Sequence, residues 1–544
     1  MNFASHRLAQ GVRPQSVLSI VFFVCGLVAA YVVAETILAE DFSKLAFAGM
    51  ACVGAAIVAV TAINWRTGLY LLLAWLLLED LARKYLGNNM AIYFAKDFLL
   101  AVVYVSFFAS WRRKDPNLKT FRPPFLRALL VLIWFAFIQV FNPASTTIFY
   151  GLMGMKLYFY YVPLIVVGYA LADSEATLRR FFYFNLSLIG VIVSLGIVQA
   201  ILGPQFLNPA VMAEDIRELS GLYRVAPITH TLVYRPTSVF VSAGRFGDLL
   251  IVSWLIVFGF SGYLLLRHRK GRIGRIFTLL VLALTAAGCL MCASRGVFVW
   301  SALSGVAGAL AFLWGAPWRQ GQALRVVRIV QRAAIGVAVA VLVLLFAYPE
   351  AFLGRIAVLS DTLDPRSPRG ELFTRSQDYP LAEFSKALNN SRWPYGNGLG
   401  TASLGGQYIS RFFGTRPPEY PVESGYGDIV LEMGIVGLIL WLVMSAAVVL
   451  SAWRVVRKLK GSPFFPLAFM ILLYAFLLLV PMTFVAIQAY QDFVLNCYLW
   501  LLVGILFRLP TLQISGEAES ALSARSGARV LPVPLGLRQP RTQA

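Results

Sequence analysis

Charge is scarce in this chain. Only 13% of its 544 residues are charged, 59% are hydrophobic and the mean hydropathy is +0.72, which excludes an ordinary soluble domain. Histidine and cysteine are scarcer still. The histidines are His6, His230 and His268 alone, and Cys25, Cys52, Cys289, Cys292 and Cys497 all fall within apolar runs, so neither a disulfide framework nor a metal site is indicated. Cys289 and Cys292 make a C-x-x-C spacing, but inside an apolar run each reads as a small buried hydrophobe. No obvious internal repeat is present, which counts against a secondary transporter built from paired halves.

Apolar runs long enough to cross a bilayer recur along the whole length. Because lipid offers backbone groups no partner, each must be helical. The sequence predicts an all-α polytopic membrane protein with about fourteen transmembrane helices, starting near Val17, Leu45, Gly68, Phe94, Phe125, Leu157, Phe181, Ser238, Ile276, Val297, Ala333, Tyr426, Pro466 and Phe493. The basic start before Val17 resembles a signal peptide, but an uncleaved first helix is the expectation.

The net charge of +21 does not point to nucleic acid, because the cations gather in alternate loops. Arg112, Arg113, Lys114, Lys119, Arg122 and Arg127 fill one; Arg267, Arg269, Lys270, Arg272 and Arg275 a second; Arg319, Arg325, Arg328 and Arg332 a third; Arg454, Arg457, Lys458 and Lys460 a fourth. The positive-inside rule makes these loops and both termini cytoplasmic. The outward loops are then short except for residues 203–236 and 348–425. The domain reading is eleven helices over 1–347, a long, partly helical outward loop over 348–425, three helices over 426–507 and a disordered cytoplasmic tail over 508–544. Within the long loop, DYPLAEFSKALNN reads as a helix ending before the turn-rich WPYGNGLG.

Against this apolar background a few outward charges need explaining. Arg295, in MCASRGVFVW, is the only charged residue between Arg275 and Arg319 and falls at the tip of an outward hairpin. It can snorkel to head groups, or present its planar fork of donors to a phosphate. In YRPTSVFVSAGRFGDLL, Arg235 and Arg245 lie on the same side, with Asp248 one helical turn from Arg245 and able to pair with it. Lys156 is expected at the outward start of a span. In EYPVESGYGDIVLEMGIVGL, Glu423 ends the long loop at the water boundary and is the better general-base candidate, whereas Asp428 and Glu432 share a helix face and Glu432 reads as structural.

The pieces RPTSVFVSAGRFGDLL, ASRGVFVW, PYGNGLG and ESGYGDIVLEMGIVGLIL, in that order over roughly residues 150 to 450, resemble the O-antigen ligase and O-antigen polymerase superfamily of bacterial inner membranes. That resemblance implies transfer of glycan from an undecaprenyl-diphosphate donor to a sugar hydroxyl at the periplasmic face, with inversion and without metal or other cofactor. It implies that Arg295, with Arg245 or Arg235, holds the diphosphate as it leaves. Lys156, Arg416, Tyr426 and His230 are the remaining candidates for binding diphosphate or glycan, and Glu423 for taking the acceptor proton. Ligases of this superfamily carry a histidine near the end of the large loop, where this chain has Glu423, Ser424 and Tyr426, so a polymerase of exopolysaccharide or O-antigen is the expectation, with a ligase as the alternative. Partners implied are the lipid-linked oligosaccharide, membrane lipid, and flippase and chain-length regulator proteins, with no nucleic acid. Two other readings are a lipid-linked glycan flippase, whose charges should lie nearer the bilayer midplane, and a lipid-sugar transferase using acids such as Glu40 and Asp41 in the first outward loop.

Overall fold

The computed structural model describes residues 42–87, 90–113, 121–210, 212–267, 272–316, 345–364, 378–414, 420, 422–485 and 489–527. It is mostly helical. Nine helices among the described residues are long and apolar enough to cross a membrane, which makes the chain a multi-pass membrane protein in composition and architecture. These nine correspond to the runs from Phe94, Leu157, Phe181, Ser238, Ile276, Val297, Tyr426, Pro466 and Phe493. The runs from Leu45, Gly68 and Phe125 are helices Phe42–Ile63 (α1), Trp65–Leu86 (α2) and Leu126–Val140 (α4), with α2 carrying Glu79, Asp80, Arg83 and Lys84 toward its end. The runs from Val17 and Ala333 lie outside the described residues.

Two compact units are present. One comprises residues up to Trp75 together with Tyr93–Asp115. Within it, α1 and α2 are joined to Met90–Arg112 (α3) by the Trp65 and Phe107 rings, 5.1 Å apart edge to face, and by Ser106 Oγ donating to the Ala62 carbonyl at 3.1 Å.

The second unit, Leu76–Ile92 with Pro116–Ala544, holds the other helices. After α4 come Ile148–Phe159 (α5), Leu164–Leu171 (α6), Glu175–Leu202 (α7) and the short Glu214–Ser220 (α8). A two-stranded antiparallel ribbon follows, Tyr223–Val225 (β1) and Leu232–Tyr234 (β2), with Val225 opposite Leu232, so the expected all-α description needs this small exception. The following helices are Ala243–Leu266 (α9), Arg272–Met291 (α10), Arg295–Gly315 (α11), Pro349–Leu363 (α12), Tyr379–Leu388 (α13), Leu404–Phe413 (α14), Gly425–Lys458 (α15), Phe465–Leu477 (α16) and Phe493–Gly527 (α17).

Helices α9 and α17 are the most buried spans. Small residues let neighbours touch them at backbone distance: a Cβ on Gly168 of α6 would lie 2.2 Å from the Leu501 carbonyl oxygen, and one on Gly504 would lie 2.1 Å from that of Ile165. Helix α17 runs through Gly527, past the expected start of the tail at 508. Its GEAESALSA stretch favours helix, and residues 528–544 of the expected tail lie outside the described residues.

The span expected from Ser238 begins instead at Ala243, capped by Ser242, whose side chain accepts from the Arg245 amide. The preceding RPTSVFVS is a buried strap with Ser238 at φ +52°. Helix α15 is broken at Gly434, at φ +69°. The glycine-rich turn Gly396–Gly400 fits into that break: the Asn397 amide donates to the Leu431 carbonyl at 2.6 Å and the Gly398 amide to that of Glu432 at 3.1 Å. On its other side, Gln139 Nε2 of α4 donates to the Tyr395 carbonyl at 3.0 Å. Gly400 has φ +78°, and a Cβ there would stand 1.9 Å from the Tyr150 carbonyl oxygen. Gly400→Ala is therefore expected to cost at least about 1–3 kcal/mol and to lower the thermal midpoint of the purified protein; an unchanged midpoint contradicts this packing.

Candidate functional site

The hairpin between α10 and α11 turns through Ala293, which takes φ +52° and is buried with Ala226, Val233 and Val358 in one small core. The hairpin, the β1–β2 ribbon and α12 therefore meet there. Three arginines converge on this junction.

Arg295 opens α11 and reaches back to the ribbon, its Nη2 donating to the Val225 carbonyl at 3.4 Å. Arg235 follows β2 directly. Its amide donates to the Leu222 carbonyl at 3.1 Å, while its guanidinium Nε is buried with no hydrogen-bond partner among the described residues. Burial holds the Arg235 pKa below the ordinary guanidinium value, offset in part by the Cys292 thiol. Arg355, which sequence reasoning missed, is committed differently. From α12 its guanidinium donates to the carbonyls of Met291 at 2.7 Å, Ala200 at 3.0 Å and Tyr234 at 3.2 Å, and to that of Ala351. Burial pulls its pKa down to about 10. It ties α7, the ribbon and the hairpin together, and the only sequence signal was an arginine on the apolar face of AFLGRIAVLSDTL.

Asp361, one and a half turns farther along α12, orders the ribbon's turn. Its Oδ2 accepts from the amides of Ile228 at 3.1 Å and Thr229 at 2.9 Å and from the Thr229 hydroxyl at 3.1 Å. Burial alone would raise its pKa, but these donors and the Arg295 charge outweigh burial and leave it below the ordinary value. His230 sits on that turn at φ +54° and is exposed.

Arg245 departs from expectation. Its partner is Asp80, with Nη1 2.8 Å from both carboxylate oxygens, and its guanidinium lies over the Phe493 ring at 4.7 Å. Asp80 is almost wholly buried and needs this compensation, while Asp248, one turn along α9, also lies within the electrostatic reach of Arg245. Arg83 adds a second guanidinium at 3.0 Å, and the Val241 amide donates to the same carboxylate at 3.3 Å. Beside it, Lys84 Nζ donates to Thr237 Oγ1 at 2.9 Å and to the Ser238 carbonyl at 2.8 Å, and Gln199 Oε1 accepts from the Thr237 and Ser238 amides. The strap leading from Arg235 to Arg245 is thus fastened to α2 and α7. Asp80, Lys84 and Gln199 had no sequence signal beyond their polarity.

At the end of the long loop Glu423 is exposed, accepts a hydrogen bond from the Tyr379 hydroxyl, and stands just ahead of the Ser424 cap of α15. Its amide donates to Glu383 Oε2 at 2.9 Å. Glu432 is buried, and its Oε1 accepts from the Ala402 and Ser403 amides at 3.1 and 2.7 Å, so it pins the glycine-rich turn to α15. Tyr426 packs on Phe484 and donates to the Leu479 carbonyl at 3.4 Å, in the widened turn around Pro481, which assigns it to helix packing rather than to an open surface. Lys156 stands eight residues beyond the start of α5 instead of at its outward start. Arg416, like Glu40 and Asp41, lies outside the described residues. Cys289 and Cys292 are free and buried, with Cys289 Sγ 3.4 Å from Ser301 Oγ.

No family model and no curated protein matches the chain.

Asp361→Asn keeps the shape of the turn but removes a charged acceptor, so it is expected to cost about 1–3 kcal/mol at neutral pH. A folded pKa held below 3.8 contributes stability above the ordinary value that is lost as pH falls through the depressed one. The wild-type thermal midpoint should therefore converge on that of the variant in acid; a gap independent of pH contradicts the assignment.

Proposed function

We propose that the chain is a membrane glycosyltransferase that polymerises a cell-surface polysaccharide, moving glycan from an undecaprenyl-diphosphate donor to a sugar hydroxyl of another lipid-linked repeat unit. The reading rests on the resemblance of residues 150–450 to the O-antigen ligase and polymerase superfamily. It includes about fourteen spans in a bacterial inner membrane, both termini cytoplasmic, and residues 203–236 and 348–425 on the periplasmic side.

The observation that carries it is the division of labour among the arginines. Arg355 is engaged by four backbone carbonyls and Arg245 is paired with Asp80, but Arg235 buries a guanidinium Nε that the described protein leaves unpartnered, a few ribbon residues from the carbonyl that Arg295 touches. Two guanidinium groups held on a rigid ribbon and hairpin suit a diphosphate, whose oxygens accept from planar forks. In the transfer, charge grows on the diphosphate as the anomeric bond breaks, and donors already in place there lower the barrier without reorganising. The acceptor hydroxyl loses its proton as it attacks, and Glu423, water-facing and at a helix start, is the proposed base.

Incubating the purified protein in lipid with its lipid-linked oligosaccharide should give a ladder of multiples, and Arg295→Ala should reduce it by about 100-fold or more. Arg295→Lys should recover little, since a point charge lacks the fork. Wild-type ladders from the lysine variant contradict the role of the fork, and an unchanged rate in Glu423→Gln removes that residue from the chemistry.

A further inference from the structure

Helix α14 has two unlike sides. One side is built into the protein: Ser410 is buried with its hydroxyl 2.9 Å from that of Tyr150, and Gly405 packs against Met153 of α5. At its end, Phe412 is 76% exposed and Phe413 50% exposed, their rings 5.3 Å apart. Two phenylalanines left open at the end of a helix docked through Ser410 and Gly405 call for a covering.

The neighbouring surface identifies it. The Phe413 ring lies 5.4 Å from that of Phe149, in the first turn of α5. Phe149 is 47% exposed, as are Ile148 at 44% and Leu152 at 52%, all on the outer side of a helix long and apolar enough to cross a membrane. Exposed apolar residues on a spanning helix are covered by lipid. The Phe412–Phe413 pair is continuous with that covered face, and aromatic rings at the end of an amphipathic segment prefer the boundary between acyl chains and head groups.

We propose that Phe412 and Phe413 insert into the bilayer leaflet on the side of the long loop, so that α14 anchors this loop to the membrane surface. The occupant is the lipid of the protein's own membrane. The inference depends on the membrane-spanning reading and not on the reaction proposed above. The anchor lies just beyond the glycine-rich turn, which precedes α14, packs on α5 and is pinned by Glu432.

The test is a nitroxide placed at Phe412→Cys, with Cys25 and Cys52 changed to serine and the full chain reconstituted in phosphatidylethanolamine–phosphatidylglycerol vesicles. Collisions with molecular oxygen, which concentrates in lipid, are compared with those of a water-soluble nickel chelate. Phe149→Cys supplies the lipid-facing reference and the exposed Glu218→Cys of α8 the aqueous one. Oxygen should dominate at 412 as at 149, with the ratio reversed at 218. Nickel dominating at 412 overturns the proposal, since the face would then be open to water or reserved for a protein partner.

Discussion

A carboxylate buried at the end of α2 constrains much of the second unit. Asp80 is almost fully desolvated, and a charge in that position is tolerated only when opposite charge and amide donors surround it. Arg245, Arg83 and the Val241 amide supply that environment and in doing so fix where α9 begins. Lys84, one turn on, fastens the RPTSVFVS strap, and Gln199 of α7 holds the same strap from the other side. The strap leads back to Arg235 and the ribbon, so the position of the candidate site follows from an ion pair that takes no part in it.

The cations around the strap and the ribbon consequently have different work. Arg83, Lys84, Arg245 and Arg355 are engaged by protein groups, and removing any of them strips partners from buried carbonyls or from Asp80. Arg235 and Arg295 stand on the same ribbon and hairpin, and among the described residues the Arg235 Nε has no hydrogen-bond partner. A rigid mount of this kind matters for the proposed chemistry, because donors that must reorganise as charge develops contribute far less than donors already aimed. The glycine-rich turn, wedged into the break at Gly434 and held by Gln139 and Glu432, places the end of the long loop with similar rigidity.

Much of the architecture was legible in the residues because lipid imposes a simple rule: long apolar runs become helices. The hairpin tip at Arg295 and the helix in DYPLAEFSKALNN followed from charge placement and turn residues. What escaped was set by distant partners. Nothing near Arg245 in the chain announces Asp80, whereas the i,i+3 spacing to Asp248 can be read directly. Arg355 could not be distinguished from an ordinary loop arginine, since its partners are carbonyls of three other segments. The break at Gly434 is invisible in IVLEMGIVGLIL, which reads as unbroken apolar helix, and only the turn packed against it explains why a glycine is needed. Tyr426 had the look of a site residue because it follows Glu423, yet its hydroxyl is directed at a helix carbonyl.

The central claim is that the Arg235–Arg295 junction is a diphosphate site. The most direct measurement is a calorimetric titration of the detergent-solubilised protein with a short-chain prenyl diphosphate in excess EDTA. The account predicts saturable binding that is lost in Arg235→Ala and retained in Arg217→Ala, whose guanidinium donates to the Ala210 and Met212 carbonyls of its own loop. Equal affinity in the wild type and Arg235→Ala, or no binding by the wild type, would contradict it.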